Sequence, residues 1–127
     1  MDEVRFDAGE VVFREGEPSR VVLLITAGEV EVLKAMPGGH VLLGRAGPGE
    51  VVGEMGVLEG RPRSTTVRAR APVAGELLDR DAFLARVSGD RELAFGALLR
   101  LSARLRAANE WLAEASPEPV AVGPAEA

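Results

Sequence analysis

The chain has 127 residues, 46% of them hydrophobic, which suits one globular core and one domain. Cysteine is absent and His40 is the only histidine, so disulfides and thiolate chemistry are excluded and a histidine-based metal centre is argued against. A formal net charge of −5 disfavours nucleic acid as the main partner, and with no long apolar run or leader the expectation is a soluble, cytoplasmic protein.

Residues 1 to 5 are too short and polar to form a helical domain. From Phe6 to Leu78 short apolar runs alternate with glycines. The strand candidates are Phe13, Val21–Ile25, Val30–Leu33, Val41–Leu43, Val51–Val52, Thr66–Val67 and Val73–Leu78. This spacing favours an all-β sandwich or roll. Gly28-Glu29 and Pro37-Gly38-Gly39-His40 read as hairpin turns, with His40 an exposed turn residue.

The segment Val52 to Ala69 is the most informative. Gly53 permits a turn and a close backbone approach, and Glu54 to Leu58 is long enough for one or two helical turns. The start of such a helix offers free N–H groups and a positive dipole end to an anion. Gly60 and Pro62 stop the helix and turn the chain back. Arg63 and Ser64 then supply a planar guanidinium fork and a hydroxyl, both suited to phosphate. Glu54 would repel a phosphate but readily accepts from a ribose hydroxyl. One phosphate beside one ribose hydroxyl describes a nucleotide. An interior Glu54–Arg63 ion pair across a turn fits the same spacing.

From Asp79 the hydrophobic period changes. Asp79 or Asp81 caps a short helix over 79–87, and Gly89 ends it. A long helix follows over about 91–115. Ala94, Leu98, Leu101, Leu105, Ala108 and Leu112 form a heptad seam on it, flanked by Arg100, Arg104, Arg106 and Glu110. The seam is first a packing surface for the roll. The helix is longer than the roll can cover, so its distal half is expected to pair with a second copy. The Pro/Ala-rich segment 116–127 is expected to be disordered.

Gly53-Glu54-Met55-Gly56, followed after five residues by Pro62-Arg63-Ser64, resembles the phosphate-binding cassette of the cyclic-nucleotide-binding domain family. The spacing from Glu54 to Arg63 is similar to that of the kinase regulatory subunits. Phe6-x-x-Gly9-Glu10-x-Val12-Phe13-x-x-Gly16-Glu17 resembles the family's first strands. Val22-Leu23-Leu24-Ile25-x-x-Gly28-Glu29-Val30 and Gly47-Pro48-Gly49-Glu50 continue the match, which covers roughly residues 4 to 112.

The resemblance implies a mainly β fold, a double-stranded β-helix or jelly-roll β-roll. A short helix lies in the cassette and two helices close the domain of residues 1–115. It implies that Glu54 takes the ribose 2′-hydroxyl. Arg63 pairs with the cyclic phosphate, helped by Ser64 and by backbone N–H groups near Met55 and Gly56. Gly53 permits close approach, and Val52, Val57, Leu58 and Val67 wall the pocket. Thr65 stands where the family usually has alanine, and its hydroxyl either crowds the phosphate or adds a donor. Ala108 and Asn109 fall where the family's transcription factors carry base-contacting residues. Asn109 can bond a purine edge, although an exposed helical asparagine fits as well.

The expectation is therefore a stand-alone sensor of a cyclic nucleotide, cAMP ahead of cGMP. It acts through an unknown effector protein and forms a homodimer along the long helix. No helix-turn-helix, second nucleotide domain or membrane span is visible in the sequence, and no enzyme activity, metal or cofactor is expected. A ligand-free β-roll serving as a dimerisation scaffold is the alternative.

Overall fold

The computed structural model describes residues 2–115 and Ala121. The expected disordered tail, Ala121 apart, lies outside the described residues. The chain runs β1 (Asp2–Phe6), β2 (Val11–Phe13), β3 (Val21–Ala27), β4 (Val30–Met36), β5 (Gly39–Ala46) and β6 (Val51–Val52). It continues through α1 (Glu54–Glu59), β7 (Thr66–Ala69), β8 (Val73–Asp79), α2 (Arg80–Ser88) and α3 (Arg91–Ala115).

Two antiparallel four-stranded sheets, ordered β1-β8-β3-β6 and β2-β7-β4-β5, face each other as a β-roll. Their inner faces bury Phe13, Leu23, Ile25, Val30, Val32, Val52 and Val67 in one cluster. A second cluster lies on the outer face of the first sheet, where Val22, Leu24, Val51 and Leu78 meet Val57 of α1 and Phe83 of α2. Successive strand residues point to opposite faces, so the unbroken apolar run Val22 to Ile25 means that β3 is covered on both sides. Val51 and Val52 divide in the same way between the two clusters.

The mainly β architecture and both closing helices match the sequence reading, with three differences. Asp2–Phe6, too short and polar for a helical domain and not among the strand candidates, is a strand paired to β8. Only Val4 and Phe6 of this edge strand reach the core, and its polar neighbours mask that alternation. The strand expected at Val41–Leu43 extends to Gly39–Ala46, so His40 lies within β5, still exposed, and not in the turn. Most of the seam on α3 does not face the roll, although its Ala94 and Leu101 are half-buried. Leu93 and Ala97 pack on the outer cluster, while Leu98, Leu105 and Leu112 are 64%, 66% and 52% exposed. The roll-facing stripe, continued by half-buried Arg100 and Arg104, is the seam shifted back by one residue. Asp79 caps α2 by accepting from Ala82 N at 2.8 Å.

The turn joining β3 to β4 depends on Gly28, at φ +86°, where an added Cβ would lie 2.1 Å from the Pro72 carbonyl oxygen. Both backbone strain and a backbone clash oppose Gly28→Ala. Its melting temperature should fall by roughly 5–10 °C, the equivalent of about 2 kcal/mol. Gly9→Ala, at φ +89° with open space around it, should lose less than half as much. Thermal melting followed by circular dichroism checks the pair, and equal losses would refute the role of the Pro72 clash.

Candidate functional site

The cassette begins where β6 ends. Gly53 adopts φ +84° and starts α1, and Gly60, also left-handed, ends it. The chain then returns through Arg63 to β7. Backbone bonds clamp that return to the loop after β2, with Gly16 N donating to Arg63 O at 2.8 Å and Arg63 N donating to Glu17 O at 2.7 Å.

Arg63 is only 7% exposed. Its Nη1 donates to Gly53 O at 2.9 Å and its Nη2 to Val21 O at 2.6 Å. The guanidinium lies 3.6 Å from the centroid of the Phe13 ring, a cation–π contact. Burial pushes this guanidinium below its ordinary value, while the Glu17 and Glu54 carboxylates pull it back up. The close approach at Gly53 is made by this side chain, because a Cβ there would lie 2.6 Å from Arg63 Nη1 and 2.8 Å from Phe13 Cε2.

Glu54 behaves differently. It is 4% exposed, yet its carboxylate has no hydrogen bond or ion pair among the described residues, with Arg63 or otherwise. The interior ion pair allowed by the spacing is therefore absent, since Arg63 directs its hydrogen bonds to backbone carbonyls. Compensation reaches Glu54 at longer range, from Arg63 and from Arg104 of α3. Burial lowers the Arg104 guanidinium, Glu54 raises it, and Arg100 lowers it again.

These groups surround an open-mouthed cavity. Gly53, Glu54, Met55, Gly56, Arg63, Ser64 and Thr65 all line it, together with Phe13, Val32, Val52, Val67 and Arg104. Of the expected walls, Val52 and Val67 are present. Val57 is buried in the outer cluster, and Leu58 is 40% exposed and does not line the cavity. Asn109 is also outside it: the residue that α3 brings to the cavity is Arg104, and Asn109, about one and a half turns further on, is exposed. Sequence reasoning missed Phe13 and Arg104 as site residues. The spacing Leu93, Ala97, Arg100, Arg104 is the signal that puts Arg104 on the roll-facing stripe.

A carboxylate without a donor, a buried arginine with N–H groups to spare and the start of a helix thus share one cavity. A profile of the cyclic nucleotide-binding domain matches residues 3–90. The chain belongs to the cyclic nucleotide-binding domain family. It is 31% identical to the CRP-like cAMP-activated global transcriptional regulator of Mycobacterium tuberculosis over 115 residues, 90% of this chain and 51% of that protein. Over 80 residues it is 38% identical to acetyltransferase Pat of Mycolicibacterium smegmatis, covering 63% of this chain and 24% of the relative. The chain thus spans about half the length, or less, of these curated relatives. Among solved structures, the catabolite activator protein of Thermus thermophilus superposes with a TM-score of 0.74 at 28% identity, over 91% of this chain and 55% of that one. Among the described residues no helix is long and apolar enough to cross a membrane, and no cluster of acidic and histidine residues could hold a metal ion.

The two charged residues should differ in the ligand-free protein. Arg63→Met removes the donors to two carbonyls, roughly 2–4 kcal/mol, and should lower the melting temperature by roughly 8–15 °C. Glu54→Gln breaks no bond and should melt within about 3 °C of the wild type. A Glu54→Gln loss as large as that of Arg63→Met would show that the carboxylate is structural.

Proposed function

We propose that the cavity takes a 3′,5′-cyclic nucleotide, cAMP ahead of cGMP, and that the domain is a regulatory sensor acting through a partner. The observation that carries this reading is the pairing of unpartnered, buried Glu54 with pre-positioned Arg63. Glu54 accepts from the ribose 2′-hydroxyl, which gives its carboxylate the donor that the protein does not supply. Arg63, whose fork has five N–H groups, directs those not bound to carbonyls at the cyclic phosphate. The Ser64 hydroxyl and the amides of the first turn of α1 add donors. Thr65 contributes its amide and, on the same rim, a hydroxyl. Arg104 stands beside Glu54 as the third charge of the site.

The preference for cAMP follows the relatives, one of which is named as cAMP-activated. Asn109 lies outside the cavity, so reading of the base is not assigned to it. The role is binding and not catalysis, and the protein is placed in the cytoplasm. The exposed leucines at 98, 105 and 112 make α3 the homodimer surface, and an effector protein receives the signal.

Titration calorimetry with cAMP, cGMP and 2′-deoxy-cAMP tests the site. Wild type should bind cAMP and lose about 10- to 100-fold in affinity for the deoxy analogue, as expected for one hydrogen bond to a charged group. Glu54→Ala should bind both equally weakly. Equal wild-type affinity for the parent and the deoxy compound would remove Glu54 from the ribose. For the dimer, light scattering of wild type and Leu105→Asp is the measurement. Wild type should give twice the chain mass and the variant the monomer mass, and a monomeric wild type with and without cAMP would refute the pairing.

A further inference from the structure

Lys34 is the single lysine of the chain and lies on β4, outside the cavity. Its Nζ donates to Glu15 Oε2 at 2.9 Å and to the Ser64 carbonyl at 3.0 Å. Glu15 is itself fixed, because its Oε1 accepts from Ala35 N at 3.1 Å and its own N–H donates to Thr66 Oγ1 at 3.0 Å. The Lys34 hydrogen bond, helped by the Ala35 amide, holds the Glu15 carboxyl below the usual carboxylate range. Beside this node, Gly16 and Glu17 grip the Arg63 backbone.

The Ser64 carbonyl is the informative partner. Among the described residues there are no cis peptide bonds. A planar trans peptide places its C=O and the following N–H on opposite edges. With the Ser64 carbonyl held to Lys34, the Thr65 N–H projects away from Lys34, and Ser64 and Thr65 line the cavity whereas Lys34 does not. Neither the Ser64 nor the Thr65 amide has an acceptor among the described residues. If this peptide turned over, a carbonyl oxygen would face an incoming anion in place of a donor. An ammonium suits the task, since its three donors serve a carboxylate and a carbonyl together. A half-exposed ion pair of this kind adds little to folding stability.

We propose that Lys34 is a positioning residue for the phosphate end of the site, keeping the Ser64–Thr65 peptide turned so that its N–H faces the ligand. This rests on the cyclic-nucleotide reading. The test compares wild type, Lys34→Met and Lys34→Arg of the full chain. Each is followed by calorimetric titration with cAMP, by ligand-free melting and by the ¹H–¹⁵N shift of the Thr65 amide on cAMP addition. Lys34→Met should bind about tenfold more weakly. Its ligand-free melting should stay within about 2 °C of wild type. Its Thr65 amide should no longer shift, and Lys34→Arg should recover most of the affinity. Wild-type affinity and an unchanged Thr65 shift in Lys34→Met would overturn the role. So would affinity and melting temperature falling together in both variants, the mark of a merely structural residue. A wild type that binds neither cAMP nor cGMP would instead overturn the cyclic-nucleotide reading, and this inference with it.

Discussion

The geometry of the cassette depends on the Arg63 guanidinium. A buried cation is costly unless its protons are placed, and Arg63 meets that condition with main-chain oxygen and an aromatic face. The carbonyl of Gly53, the carbonyl of Val21 and the ring of Phe13 come from the start of α1, the start of β3 and the end of β2. One side chain therefore ties three separate elements. In the same geometry it holds its remaining donors ready, so little rotamer freedom is left to lose when an anion arrives.

Glu54 supplies the contrast. Natural proteins give buried polar groups partners, and exceptions concentrate where a ligand completes the set. Two guanidiniums in Coulombic reach keep this carboxylate tolerable without bonding to it. Had Arg63 paired directly with Glu54, both would satisfy each other and the cavity would have little chemistry to offer. The division of bonds, arginine to the main chain and carboxylate to none, is what makes the pocket receptive.

Most of the roll was legible because apolar runs and glycines punctuate the strands from Phe13 onward, and the cassette motif fixed the order of its parts. The first strand was hidden because an edge strand with two core residues in five carries little hydrophobic signal. Gly53, Glu54 and Arg63 were recognisable as a cluster, but their hydrogen bonds were not, since a Glu–Arg spacing cannot say whether arginine prefers a carboxylate or a carbonyl. Asn109 and Arg104 exchanged importance for a related reason. The leucine seam of α3 is the stronger pattern, yet the roll selects the adjacent stripe of Leu93, Ala97, Arg100 and Arg104, whose two charged members disguise it as surface.

That stripe also determines how the pocket and the helix can influence each other. Arg100 is bound at the threshold of the cassette, its Nε 2.9 Å from Glu50 Oε2 and its Nη1 donating to Val51 O. Glu50 is held in turn by the Gly47 amide at 2.8 Å. One helical turn further, Arg104 lines the cavity with Glu54 and interacts with its charge. The root of α3 is thus anchored by packing and by Arg100, whereas among the described residues Arg104 makes no hydrogen bond and meets the site through its charge. In the proposed reading, a ligand hydroxyl on Glu54 would alter the charge balance of the site where α3 leaves the body of the protein. Beyond Arg104 eleven residues of exposed helix remain, about 16 Å at 1.5 Å per residue, so a small tilt at the root becomes a larger displacement at the end. By reciprocity, whatever holds the distal helix must act back on the affinity of the pocket to the same extent.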